Sequence, residues 1–169
     1  MKITKKDQLK DDFRDFIILL NKHNVDYCIT GGYAFSFHAE PRTTRDIDFY
    51  IAHTMENSKR VAAALKEFAG SDIDKNYFDT SETVILRIGF EPNQIELCNA
   101  LTGLSDDEIM KHRVKGKYGD AVAYYIGINE LFRNKAIVKD MPHRGRKKGS
   151  DSSDYETLKV LLKKKGHGR

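Results

Sequence analysis

The segment from residue 25 to residue 51 constrains the architecture more than any other. "VDYCIT" is β-branched and aromatic and ends at Gly31-Gly32, which reads as a strand followed by a turn. "YAFSFHA" is long enough for a short helix and is stopped by Pro41, because proline disfavours helical backbone in the residue before it and lacks the donor a helix needs. "DIDFYI" predicts a second strand. The order strand, double glycine, helix, strand points to a sheet with helices packed against it.

The rest of the chain extends that frame. Residues 5–23 carry Leu9, Phe13, Phe16, Ile17 and Leu20 at spacings of three and four, an apolar helical stripe, with Thr4 and Asp7 as a capping pair before it. "MENSKRVAAALKEFAG" predicts a helix closed by Gly70, and residues 71–81 a loop. "TVILRIGF" and "QIELCNAL" flank the turn-forming "EPN" and predict a hairpin. Ser105 caps a helix over "LSDDEIMKHR", whose early acids suit the macrodipole. "AVAYYIG" is a strand, "INELFRNKAIVKD" a helix, "MPHRGRKKGS" a loop and "DSSDYETLKVLLKKK" the last helix. The fold class is therefore α/β (α+β): a mixed sheet flanked by helices. At 169 residues the expectation is one domain, 1–169, with 128–165 as a C-terminal helical extension packed on it.

Composition narrows the class. With 40% hydrophobic and 32% charged residues the chain matches a globular protein and not a disordered or fibrous one. Charges break every apolar run near the start, and no run is long enough to span a bilayer, so the expectation is a cytoplasmic protein without a membrane partner. Cys28 and Cys98 lie in strand-like runs without metal-ligand spacing and read as buried free thiols. The net charge of +4 is uneven, with basic clusters in "HRGRKKG" (His143 to Lys148 at its heart) and "KKKGHGR". Such clusters either steer phosphate-bearing partners or form a solvated loop and tail.

Alternation along a strand puts Asp46 and Asp48 on one face, with Ile47 and Phe49 on the other. Neighbouring carboxylates repel unless one is protonated or a cation sits between them, and Mg²⁺ is commonly held by one or two carboxylates plus substrate phosphates. The alternative for an isolated pair is the solvent face of an edge strand. Gly31-Gly32 opens a helix whose free N–H groups suit a phosphate, although such pairs also serve as plain turns. Glu96, between Ile95 and Leu97, needs a partner or a cation unless its strand has an exposed face.

Together, "YCITGGYAFSFHAEPRTTRDIDFYI", "PNQIELCNAL", "IGINELFRNKA" and the acids Asp151 and Asp154 resemble the DNA polymerase β-like nucleotidyltransferases, in particular small stand-alone bacterial members similar to the toxin-type enzymes of abortive-infection systems. The resemblance implies Mg²⁺-dependent transfer of an NMP from an NTP to a hydroxyl of RNA, protein or a small molecule. It implies two Mg²⁺ ions held by Asp46, Asp48 and Glu96, with Glu96 orienting or deprotonating the acceptor hydroxyl. Gly31, Gly32, Arg42, Thr44, Arg45 and Lys135 become nucleotide-binding candidates, against ordinary exposure for the arginines and the lysine. His38 reads as a helix-end residue. Relatives carry Asp where Glu96 stands and a shorter link to the Asp151/Asp154 pair, with lysine at position 150. A toxin–antitoxin or phage-defence setting, with a partner protein, is the expected context; the alternative is a catalytically silent antitoxin, or a module that binds protein or nucleic acid.

Overall fold

The computed structural model describes residues 10–90, 93–142 and 147–167. Their elements are α1 (Asp11–Lys22), β1 (Tyr27–Thr30), α2 (Gly31–His38), β2 (Ile47–Ile51), α3 (Met55–Ala69), β3 (Ile85–Ile88), β4 (Ile95–Cys98), α4 (Asp106–His112), β5 (Val114–Tyr118), β6 (Ala121–Tyr125), α5 (Ile128–Val138) and α6 (Lys147–His167). The strands form one mixed sheet in the order β3-β4-β2-β1-β6-β5. β1 is antiparallel to β2 and parallel to β6, β2 is parallel to β4, and the hairpins β3/β4 and β5/β6 form the two edges. The expected mixed sheet with flanking helices is present.

The apolar stripe of α1 builds the centre of the core. Phe13, Phe16, Ile17 and Leu20 are all fully buried. Leu9 and the capping pair Thr4 and Asp7 lie outside the described residues. Phe16 meets Phe49 of β2 and Phe68 of α3 edge-on, with ring centroids 5.4 and 5.1 Å apart, the geometry that ring quadrupoles favour. Ile47, Phe49 and Ile51 point into the core, so Asp48 is turned to the opposite face. The helix ends follow local chemistry. Thr54 caps α3 through the N–H of Asn57, Gly70 closes it in a left-handed conformation, and Ser105 forms a reciprocal capping box with Glu108 at α4.

Four details differ from the sequence reading. β5 was hidden because "VKGKY" has two lysines and a central glycine. Its packing comes from neighbours: a Cβ on Gly116 would stand 2.7 Å from the Phe37 ring, which stacks on Tyr125. α6 begins at Lys147, so Lys147–Ser150 of the expected loop are helical, while His143–Arg146 lie outside the described residues. β2 begins at Ile47, leaving Asp46 on the bend before it. Cys28 is buried, but Cys98 is half-buried. Among the described residues, no helix is long and apolar enough to cross a membrane.

Truncating Phe16 to alanine removes a ring that joins α1, β2 and α3. The expected loss is about 3 to 5 kcal/mol in denaturant unfolding. A loss below about 1 kcal/mol, the scale of a surface substitution, contradicts its central place in the core.

Candidate active site

Sheet register assembles the first part of the site. Thr30, Asp48, Glu96 and Arg87 stand opposite one another on β1, β2, β4 and β3, forming one polar row across four strands. Asp46, just before β2, is fixed from the side: its Oδ1 accepts the Gln94 backbone N–H at 3.0 Å. The Gln94 carbonyl in turn accepts the N–H of Ile47 at 3.1 Å. The entry to β4 thereby holds the entry to β2.

The two glycines make that junction possible for different reasons. Gly31 has φ +63°, and a Cβ there would come 2.3 Å from Oδ2 of Asp48. A side chain is excluded both by backbone strain and by the carboxylate. A Cβ on Gly32 would stand 2.5 Å from Oγ1 of Thr44, so Gly32 lets the loop that carries Arg42, Thr44 and Arg45 close against the start of α2. That loop has further anchors. The Arg42 N–H donates to Oγ of Ser36 at 3.4 Å, and Lys10 Nζ donates to the Arg45 carbonyl at 2.5 Å.

These elements surround a cleft of about 420 Å³ lined by Gly31, Gly32, Arg42, Thr44, Arg45, Asp46, Asp48 and Lys135, together with Thr43, Ser150 and Asp151. All the expected site residues except Glu96 thus converge on it. Lys135 is not the solvated helix lysine of one sequence reading: it is 4% exposed, with Nζ 2.7 Å from Asp151 and 3.1 Å from Asp154. Arg42 gives Asp154 a forked pair, Nε to Oδ1 at 3.0 Å and Nη2 to Oδ2 at 2.8 Å. Two cations and two carboxylates therefore form one wall.

Glu96 has the partner its position demands. Arg87 Nε donates to its Oε2 at 3.1 Å across the β3/β4 pair. His38 is tied into the structure, its Nε2 bonded to the Ile126 carbonyl at 2.6 Å; burial pushes its pKa down and keeps the ring neutral. Among the described residues, no three His, Cys, Asp or Glu side chains gather closely enough to hold a metal by themselves. The acids that face the cleft are Asp46, Asp48 and the lysine-paired Asp151. Two carboxylates beside an open polar cleft suit Mg²⁺, which completes its shell with water and substrate oxygens.

Sequence reasoning missed Arg87, Gln94 and Lys10 as parts of this arrangement. It noted Asp151 and Asp154 only as an acidic pair. Their spacing of three on a helix, which puts both on one face, was the available signal.

The family model for aminoglycoside-2''-adenylyltransferase matches residues 13–110, more than half of the chain and the part that contains Gly31-Gly32, Asp46, Asp48 and Glu96. The chain belongs to this family. Solved structures agree at the level of the fold. An antigenic nucleotidyltransferase-like protein from Paracoccidioides brasiliensis is similar with a TM-score of 0.57 and 16% identity, over 92% of this chain and 77% of that one. The antibiotic-resistance factor ANT(2'')-Ia is similar with a TM-score of 0.52 and 10% identity, over 94% of this chain and 92% of that one. No curated protein matches the chain. Family and fold together identify a nucleotidyltransferase-like protein, as the sequence motifs implied, and the family works with an NTP and a divalent metal.

Within this family member, Lys135→Met removes the buried ammonium that both Asp151 and Asp154 pair with. The expected cost is about 3 to 5 kcal/mol, the usual result of breaking a buried pair from one side. Denaturant unfolding measures it, and an unchanged midpoint rules out a structural role for the pair.

Proposed function

We propose that the protein is a Mg²⁺-dependent nucleotidyltransferase that moves an NMP from an NTP to a hydroxyl acceptor. The observation that carries this reading is the convergence of Asp46, Asp48, Gly31, Gly32, Arg42 and Arg45 on one cleft. Asp46 and Asp48 would hold the metal, two ions in the full arrangement, with phosphate oxygens completing the shell. When bound, the metal supplies charge neutralisation on the phosphates and a lowered pKa for the attacking hydroxyl. The chain's own groups do the rest. Backbone N–H groups at the start of α2 receive the phosphates, and Arg42, Thr44 and Arg45 orient them. Lys135 lines the same cleft and brings its charge to the triphosphate while paired with Asp151 and Asp154. Glu96, one strand from Asp48, orients the acceptor hydroxyl and takes its proton while oxygen attacks the α-phosphorus and pyrophosphate leaves.

The family description favours ATP as donor and an aminoglycoside hydroxyl among small-molecule acceptors; RNA and protein hydroxyls are the other acceptor classes. A cytoplasmic location and a toxin–antitoxin or phage-defence setting with a partner protein extend the same reading. Residues 1–169 act as one domain, with 128–165 its helical extension. The packing of α5 on α6, and the ion pairs from α6 to Arg42 and Lys135, support that division. One observation favours a catalytically silent module: Arg87 already occupies a carboxylate oxygen of Glu96.

Labelled NTPs with Mg²⁺ and a panel of aminoglycoside, RNA and protein acceptors test the proposal. Asp46→Asn and Asp48→Asn are each expected to lower transfer by at least about 100-fold, and chelation of Mg²⁺ to abolish it. Equal stabilisation of the double variant and the parent protein by ATP with Mg²⁺ sinks the metal-site assignment.

A further inference from the structure

We propose that Asp154 is a positioning residue for the nucleotide and acts through Arg42, an inference that rests on reading the cleft as the nucleotide site. Asp154 lies on α6, is 1% exposed and lies beyond the residues matched to the family. Its carboxylate takes one whole edge of the Arg42 guanidinium, Nε at 3.0 Å and Nη2 at 2.8 Å. A guanidinium carries five N–H donors. Asp154 uses two, and the Thr43 carbonyl accepts a third from Nη1 at 3.3 Å. Two N–H groups remain on a side chain that lines the cleft, and Nη2 lies 3.2 Å from where a Cβ on Gly32 would stand. Asp154 thus holds Nη2 of Arg42, with one donor still unused, beside the backbone at the start of α2, where the proposed function puts the phosphates.

The fixing is more than local pairing. The guanidinium also lies over the Phe35 ring, 5.4 Å from its centroid, so its plane is held from a face as well as an edge. Asp154 shares Lys135 with Asp151, which ties its carboxylate to α5. A long side chain ordered in advance loses less freedom when a ligand arrives, and this is how a residue that never touches the nucleotide contributes to its affinity.

The experiment is a double-mutant cycle on the affinity for ATP with Mg²⁺, measured by calorimetry on the full chain without an acceptor. Asp154→Asn preserves side-chain shape and removes the charge. It is expected to weaken binding about 10- to 100-fold, the usual effect of removing an outer partner of a binding group. Because Asp154 acts through Arg42, the Arg42→Ala, Asp154→Asn double variant is expected to bind no more weakly than Arg42→Ala alone. Multiplying effects overturn the proposal, as does parental affinity in Asp154→Asn. Should Asp154→Asn fail to fold, Arg42→Lys decides: it keeps a charge opposite Asp154 but loses the fork. A similar weakening supports the proposal, and parental affinity overturns it. Failure of the parent protein to bind ATP with Mg²⁺ is a separate outcome, and removes the nucleotide-site reading itself.

Discussion

Arg42 and Lys135 bring two positive charges to the inner wall of the cleft, and Asp151 and Asp154 arrive from α6 to neutralise them. Lys135, Asp151 and Asp154 are nearly fully buried and compensate one another there, since desolvating an unmatched ion costs several kcal/mol. Mutual dependence fixes geometry. α6 is seated on α5 through Lys135, and the loop before β2 is seated on α6 through Arg42. The same loop ends at Asp46, so the placement of Asp46 and Asp48 is coupled to a helix remote from them in sequence.

Against that wall stands a geometry of a different kind. The row Thr30, Asp48, Glu96 and Arg87 comes from strand register alone, because opposed residues on neighbouring strands share a face. A one-residue slip between β2 and β4 would separate Asp48 from Glu96 and turn the core residue Phe49 outward. The hydrophobic pattern that holds Ile47, Phe49 and Ile51 in the core therefore also aligns the acids.

Much of this was legible because it was local. The DxD pair, the double glycine, the capping residue Ser105 and the α1 stripe each announce themselves within a few positions. β5 did not, since its burial is supplied by Phe37 and Tyr125 rather than by "VKGKY" itself. The start of α6 was obscured by "KKGS", whose glycine and charges read as loop. Lys135 was a candidate through the family resemblance, but its burial and pairing were not legible, because its two partners lie 16 and 19 positions further on. Arg87 gave no signal until the hairpin register placed it opposite Glu96. What a single sequence withholds here is pairing across distance, and the buried network consists entirely of such pairing.

The separation of Arg42 from Asp154 by 112 positions also sets an order of assembly. The sheet elements β1 to β4, with Asp46, Asp48 and Glu96, are complete well before α6 leaves the ribosome. Until α6 docks, Arg42 and Lys135 have no buried carboxylates to meet, and the cleft wall has nothing to close it. Contacts of such range form late, because chain closure must precede any gain from them. The wall of the cleft is in this sense the last of its parts to be synthesised, and a nascent chain carries Asp46 and Asp48 before it carries the helix that completes the pocket around them.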